Sequence, residues 1–429
     1  MRFAEALAEL DGRQPESMPQ PDLSRITAVA ELLDGPQLTY PTIHVTGTNG
    51  KTTTARLAAQ LACAHGLSTG LYTSPHLESI TERLQLCGEP IGEREFAEEY
   101  GHLWPFLQAV DERTGGPNVT YFEAITALAY LWFADKPVDL GVFEVGMGGA
   151  WDATNLVAGD VAVLCPISLD HRELGDTVEK VATEKAGIIK PGKIAVVREQ
   201  APEALKVIED RCAEYEVTLH LEGDDFDLTS RTQGVGGQVL GIRTPRGAYD
   251  DLLLRIHGAH AGRNAAAAIV AVEAFLDRPL DDGVTREALA LATAPGRLEV
   301  LARHPLVVLD GAHNPAAAEA LAGSLRETFV WERLHLVVAG FTSHDLGTVV
   351  ATLAPITDLA YATSNSSGRS RPATEIAGFL LERDVPTEVF PSVADAIVAA
   401  RAAAGEADLI LVTGSLYTVA DARRALGDP

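Results

Sequence analysis

The sequence predicts an α/β protein: a first domain built on a mostly parallel sheet with helices on both faces and carrying a small β excursion, and a smaller second α/β domain. Three observations predict this. From residue 40 to about 220, short apolar β-branched runs alternate with stretches of helical periodicity. Residues 225–257 break that rhythm with short alternating runs rich in Gly, Thr and Asp. Around TAPGRLEV (293–300) the strand–helix alternation restarts, which sets the boundary between domains 1–293 and 294–429. With 429 residues the chain is long enough for two or three domains.

Each element has a local reason. Segment 42–46 follows Pro41 and holds Ile43 and Val45, so it reads as a buried strand. Leu57, Leu61 and Ala64 recur at helical spacing, so 51–65 reads as a helix that stops at Gly66. Further strands are expected at 69–72, 139–145, 160–165, 194–197 and 217–220, with helices over 119–134 and 177–187. A helix over 262–277 follows the β excursion. In the second unit, strands at 306–309, 334–339, 357–361, 386–389 and 408–412 alternate with helices such as 315–328, 372–383 and 392–404.

Composition narrows the function classes. A net charge of −26 opposes binding to nucleic acid or to an anionic membrane, so neither is expected as a partner. No apolar run approaches a membrane span. The start MRFAEALAEL is amphipathic and acidic, unlike a secretory leader. Cys63, Cys87, Cys165 and Cys212 lie far apart without paired spacing, which argues for reduced thiols in a cytoplasm and against a zinc site.

The stretch TIHVTGTNGKTTTARL (42–57) is the strongest local signal. It misses the usual phosphate-loop spacing, because Val45 stands where the first glycine belongs and the glycine is Gly47. The context still favours an anion site. A glycine-bearing turn from a strand into a helix aims backbone N–H groups and the positive helix end at one point. Lys51 adds charge for the outer phosphates, and Thr52 a hydroxyl for Mg²⁺. The plain alternative is a tight turn with a surface lysine.

Other polar groups gather at strand ends, where doubly wound sheets bind ligands. Strand 139–145 leads into Glu144, a glycine-rich turn, then Asp152, Thr154 and Asn155. A carboxylate there is placed to meet a metal, and magnesium takes few protein oxygens. The next strand leads to Asp170 and His171; Glu184 and Lys185 follow on a helix expected to stop at Pro191. A buried lysine needs its charge paired or removed. In the second unit, LVVLDGAHNP ends with Asp310, His313 and Asn314 before Pro315. Each has a structural alternative: a solvated turn, a structural histidine, an ordinary Asn-Pro helix start.

Taken in order, GTNGKT (47–52), TSPHL (73–77), TERLQLCG (81–88), TYFE (120–123), EVGMGGAWDATN (144–155), SLDH (168–171), EKAGIIK (184–190), PGRLEV (295–300), LDGAHNP (309–315) and VTGSLY (412–417) resemble the folylpolyglutamate synthase/dihydrofolate synthase family of the Mur ligase superfamily. Any one is weak; together they are specific, from about residue 20 to the C-terminus. The resemblance implies a P-loop mononucleotide-binding parallel sheet domain plus a smaller C-terminal Rossmann-like α/β domain. It implies an ATP-dependent carboxylate–amine ligase that forms an acyl phosphate, which the amino group of L-glutamate attacks. Dihydropteroate and reduced folates are the implied carboxylate substrates, ATP and two Mg²⁺ the cofactors, and a monomer the implied state.

Position by position, the resemblance puts Thr48, Asn49, Gly50, Lys51, Thr52, Asn264, Arg297 and Asp310 at the nucleotide. Thr52, Ser74, Glu144, His171 and Lys185 serve the metals, with Lys185 typically carbamylated in this family. Thr120, Tyr121, Phe122, Glu123, Asp152, Thr154 and Asn155 match the pterin-substrate side. Lys51, His171, Lys185, Asp310, His313 and Ser415 form the implied catalytic set. The chain departs from the family at Ala150, usually Arg, at Ala261, usually Gln, and at Ser343-His344-Asp345, usually Asp-Lys-Asp. Competing readings are a ligase for another carboxylate such as a cell-wall precursor, a P-loop kinase or switch, and a non-catalytic binding protein.

Overall fold

The computed structural model describes residues 1–15, 22–114, 117–169, 172–234 and 236–427. Its contacts divide the chain into two compact units. One holds Met1–Ser230, Leu240–Leu252 and Arg263–Ala290; the other holds Arg231–Val239, Leu253–Gly262 and the C-terminal part from Leu291.

The first unit carries strands β1 (Thr42–Thr46), β2 (Thr69–Tyr72), β3 (Leu84–Leu86), β4 (Glu89–Pro90), β5 (Leu140–Glu144), β6 (Val161–Leu164), β7 (Ile194–Val197) and β8 (Thr218–Leu221). They form one sheet in the order β4-β3-β2-β5-β1-β6-β7-β8. The run β2-β5-β1-β6-β7-β8 is parallel, and the β3–β4 hairpin adds an antiparallel edge. Parallel strands need both faces covered, so β1, β2, β5 and β6 are buried along their whole length. Phe143 of β5 lies 5.5–6.3 Å, ring centre to ring centre, from Tyr40, Tyr72, Tyr130 and Phe133. A second apolar cluster gathers Leu164 and Val197 with Val181, Ile188 and Ile208.

A three-stranded sheet follows: β9 (Asp227–Gly234), β10 (Gly237–Thr244) and β11 (Gly247–Leu254), with β10 central. The second unit carries β12 (Glu299–Arg303), β13 (Leu306–Leu309), β14 (Leu334–Val338), β15 (Leu359–Ala362), β16 (Thr387–Val389) and β17 (Leu409–Thr413). Their order is β12-β13-β17-β14-β15-β16, parallel apart from β12. Val308, Leu336, Val338 and Leu411 pack with Leu321, Leu325, Val350 and Leu380 from its helices.

Most elements lie within a residue or two of the sequence expectation. The expected helix 177–187 is shorter: Val178–Lys185 is α-helical and Ala186–Ile188 forms a 3-10 turn. Gly187 lies in that turn, where a Cβ would be 2.4 Å from that of Ala150. The helix expected over 262–277 begins earlier, at Ala259.

The cysteine reading needs correction. Cys63 and Cys87 form a disulfide, with Cα atoms 5.6 Å apart and a sequence separation of 24. The antiparallel turn back of β3 along β2 carries Cys87 to the end of the helix Lys51–Ala64, where Cys87 N–H donates to Thr69 O. No short spacing announces such a meeting. Cys165 and Cys212 are free and buried. Among the described residues no helix is long and apolar enough to cross a membrane.

Candidate functional site

Because β1, β2, β5 and β6 are parallel, their carboxyl ends share one edge. Val45 sits beside Glu144, Thr46 beside Leu164, and Tyr72 beside Phe143. The chain leaves β1 through GTNGKT and enters the helix Lys51–Ala64 at Gly50. Gly47 (φ +144°) passes so close to the β6 exit that a Cβ would lie 2.5 Å from Cys165 Cβ. Gly50 adopts φ +92°, a left-handed backbone that favours glycine. The turn is pinned to the β6 exit: Thr48 N–H donates to Pro166 O at 2.9 Å, and Thr48 Oγ1 bridges Ser168 N and O at 3.0 Å. Asn49 lies in the same turn, half-buried.

The predicted metal and phosphate residues meet here. Thr52 Oγ1 donates to Glu144 Oε1 at 2.6 Å, and Ser74 N–H donates to Glu144 Oε2 at 3.2 Å. Glu144 is only 1% exposed, so these bonds offset part of the cost of burying a carboxylate. Lys51 Nζ donates to Gly47 O at 3.0 Å and Thr48 O at 3.4 Å. Lys185, 2% exposed, donates from Nζ to the same Gly47 carbonyl at 2.8 Å. Two ammonium groups, a helix N-terminus and a carboxylate flanked by hydroxyl residues therefore surround one turn. The cations and backbone N–H groups suit phosphate; the oxygens of Thr52, Ser74 and Glu144 suit a hard cation such as Mg²⁺. No cluster of three or more His, Cys, Asp or Glu that could hold a metal occurs among the described residues. Asp170 and His171 lie outside the described residues.

The pterin-side candidates split in two. Thr120 and Glu123 form a capping box for the helix Tyr121–Asp135, and Glu123 Oε2 also accepts from Arg25 Nε at 3.0 Å. That carboxylate is thus engaged in folding contacts. Tyr121 lies under the Arg83 guanidinium, 5.4 Å from ring centre. Phe122 packs on Gly146, where a Cβ would be 2.4 Å from its ring, so the helix start abuts the turn after Glu144.

Asp152 accepts from Met147 N–H, Thr154 N–H and Thr154 Oγ1. Burial pushes its carboxyl up to about 6 against those three donors and the charge of Lys51. Thr154 Oγ1 also meets His44 Nε2 at 2.8 Å, and burial pushes the His44 ring down to about 3, helped by Lys190. Asn155 bonds Ala150 O and Gly187 O through Nδ2, and Lys190 Nζ donates to its Oδ1 at 2.8 Å.

Asn264 sits against the phosphate turn: a Cβ on Gly50 would be 2.9 Å from its Oδ1. Its partner is Arg198, which the sequence reading passed over. The signal was available, since Arg198 directly follows β7 just as Glu144 ends β5.

In the second unit, Asp310 follows β13. Its Oδ2 accepts from Leu298 N–H at 2.9 Å and its Oδ1 from Ala312 N–H at 2.8 Å. Burial raises the Asp310 pKa, while Arg297, those two N–H groups and His313 pull it back. His313 Nδ1 meets Gly311 O at 2.8 Å, and its ring lies 4.8 Å from that of His344 in the departing Ser-His-Asp segment. Ser415, buried after β17, caps the helix Leu416–Leu426 by accepting from Tyr417 N–H.

Comparison with known proteins fits this arrangement. Residues 45–272 match the Mur ligase middle domain, and residues 296–416 the Mur ligase glutamate ligase domain. The chain is 38% identical to a dihydrofolate synthase/folylpolyglutamate synthase of Mycobacterium tuberculosis, over 98% of this chain and 93% of the relative. It is 33% identical to the Escherichia coli enzyme of the same name, over 94% and 92%. The M. tuberculosis folylpolyglutamate synthase complexed with ADP and AMPPCP superposes with TM-score 0.94 at 37% identity, covering 100% of this chain and 98% of that one. E. coli FolC in complex with DHPP and ADP gives TM-score 0.88 at 31% identity over 99% of both. The chain belongs to the Mur ligase superfamily and, within it, to the folylpolyglutamate synthase/dihydrofolate synthase family.

Proposed function

We infer that this chain is an ATP-dependent ligase that joins L-glutamate to a pteroyl carboxylate, either dihydropteroate or a reduced folate, through an acyl phosphate. The observation that carries the reading is the set Thr52–Glu144–Ser74 with Lys51 and Lys185 converging on Gly47 O. The pteroyl carboxylate oxygen attacks the γ-phosphorus and ADP leaves. The glutamate amine then attacks the acyl carbon; the C–N bond forms, the C–O bond to phosphate breaks, and phosphate and a proton are released.

Lys51, the Gly50 turn and the helix N-terminus bind the triphosphate tail, while Thr48 and Asn49 shape that turn. By the motif match, Asn264, Arg297 and Asp310 are assigned to the nucleotide, and His313 and Ser415 to the catalytic set. Thr52, Ser74 and Glu144 hold one Mg²⁺, and His171 with Lys185 a second, Lys185 as its carbamate. Bound Mg²⁺ supplies neutralisation of the charge that builds as phosphates and carboxylate meet. Thr120 to Glu123 and Asp152 to Asn155 line the pteroyl side. The 1–293 and 294–429 division, a monomeric state, a cytoplasmic setting and independence of nucleic acid belong to the same reading.

The test mixes purified protein with ATP, Mg²⁺, L-glutamate and dihydropteroate, beside a parallel set with tetrahydrofolate. Phosphate release is expected only when all components are present. Release that ignores glutamate overturns the ligase reading in favour of a nucleotide switch. Glutamate-dependent release with neither pteroyl substrate points to a ligase for another carboxylate.

A further inference from the structure

The first sheet continues past the phosphate turn into β7 and β8, and each strand hands over to a buried charge at the same carboxyl edge. Arg198 follows β7 and is 3% exposed; Glu222 follows β8 and is 8% exposed. Their backbones extend the ladder, Arg198 N–H donating to Leu164 O and Glu222 N–H to Val197 O, each at 2.9 Å. Arg198 Nε donates to Glu222 Oε2 at 2.7 Å, and Glu199 N–H donates to the same oxygen at 2.7 Å. Glu222 Oε1 accepts no hydrogen bond and lies 3.8 Å from Arg263 Nε. From its other end Arg198 donates Nη1 to Asn264 Oδ1.

We propose that Arg198, held by Glu222, is a positioning residue that fixes the side-chain amide of Asn264 beside the Gly50 turn for nucleotide recognition. This rests on the ATP-dependent reading above.

An Asn amide has an oxygen and a nitrogen of similar shape, and its orientation follows from its neighbours. A guanidinium only donates, so it accepts one solution: Oδ1 toward Arg198 and Nδ2 turned away. Gly50 sets the remaining freedom. A Cβ there would lie 2.9 Å from Oδ1, 3.2 Å from Nδ2 and 3.4 Å from Cγ, so the amide lies against the glycine over its length. Gly50 precedes Lys51, so the fixed Nδ2 donor stands beside the phosphate cradle. Stability alone does not explain the ion pair, since a buried pair is often matched or bettered by apolar residues of similar volume. A device that orients a neutral amide does explain why charge is placed there.

The experiment measures ADP affinity by calorimetry, and KM for ATP with kcat at saturating ATP, on the full-length protein. Arg198→Met is expected to weaken ADP binding about tenfold, and Asn264→Ala by about as much; the double variant is expected to stay within about twofold of Asn264→Ala. KM for ATP follows these losses, kcat stays within about threefold, and Arg198→Lys regains only part of the affinity, because one ammonium does not reproduce the Nε and Nη1 donors that Glu222 and Asn264 share. Fully additive losses of about a hundredfold in the double variant, or unchanged affinity in a folded Arg198→Met, overturn the proposal.

Should Arg198→Met fail to fold, Glu222→Gln, which weakens the hold on Arg198, replaces it. Its loss of affinity should vanish in the Asn264→Ala background, and a loss that persists there overturns the proposal. The parent reading fails separately: wild-type protein that binds ADP without glutamate-dependent turnover ends the ligase reading, while the ADP cycle still decides the role of Arg198.

Discussion

At the carboxyl edge of the first sheet, polar side chains bond to one another's segments across long stretches of chain: Thr52 to Glu144 over 92 residues and Lys185 to Gly47 over 138. At the corresponding edge of the second sheet Thr413 and Thr418 also reach far, to the Ala312 and Ala339 carbonyls over 101 and 79 residues, but Asp310, Asn314 and Ser415 turn back on nearby backbone. Asp310 accepts from the N–H groups of Leu298 and Ala312, Asn314 caps the helix Pro315–Thr328, and Ser415 caps Leu416–Leu426. Strand-end polar residues at both edges look alike in sequence. Thr52, Glu144, Lys51 and Lys185 assemble charge around a turn, whereas Asp310, Asn314 and Ser415 shape a loop and start helices. Loss of Glu144 at the first edge should therefore appear mainly in turnover, and loss of the Asn314 cap at the second mainly in stability.

The sharpest way to break this contrast is Glu144→Ala. It removes the acceptor that Thr52 Oγ1 and Ser74 N–H share, and a loss of ~10³-fold in kcat/KM is expected, within the range seen when a charge-stabilising group is deleted. Glutamate-dependent phosphate release measured across a Mg²⁺ titration checks it; activity within a few-fold of wild type would abolish the distinction between the edges. Lys185→Ala should cost ~10²-fold and be partly restored by short carboxylic acids, because the carbamate role needs a carboxylate where the side chain ends. Full activity without such rescue removes the carbamate. At the second edge, Asn314→Ala should lower stability by ~1–2 kcal/mol through loss of the bond to Ala317 N–H, read as a lower Tm. A ~10²-fold fall in kcat at unchanged Tm would instead place Asn314 with the first-edge residues.

How far the sequence revealed this contrast depended on the range of the interaction. Strands 42–46, 69–72, 194–197 and 306–309 and the helix 315–328 coincide with the expectation, because β-branched runs, caps and prolines act over a few residues. The β3–β4 hairpin and the helix Glu93–Thr114 were not singled out. β4 is only two residues long, and the helix carries Pro105 inside it, a residue that normally signals an end. Which polar groups meet was legible through the motif resemblance, which grouped Thr52, Ser74 and Glu144, and not through spacing alone. Glu144 and Glu123 are both carboxylates in matched motifs, yet one lies against Thr52 and Ser74 and the other closes a capping box on Arg25. The disulfide was misread for the same reason: spacing in sequence carries no record of where an edge strand turns back.

An effect visible only as a change of pH slope lies beneath the first edge, in the buried run His44–Thr154–Asp152. Thr154 Oγ1 is 2.5 Å from Asp152 Oδ1 and 2.8 Å from His44 Nε2. With the hydroxyl proton given to the carboxylate, the imidazole must donate from Nε2, which leaves Nδ1 as the buried acceptor without a partner. Such a ring stays neutral. His44 drops from 6.5 to about 3, so on acidification the unfolded chain takes up its proton first, and stability falls as pH falls through that window. Asp152 rises from 3.8 to about 6, so the folded state takes up its proton first, and stability falls as pH rises.

Between pH of about 4 and 6 the two slopes oppose each other, each ~1.4 kcal/mol per pH unit at most, and their sum is close to zero. His44→Gln should uncover the Asp152 slope: relative to wild type, the variant loses stability as pH rises from about 4 to about 6. Denaturant midpoints across that range check it, and parallel wild-type and variant curves would mean that His44 is not held neutral.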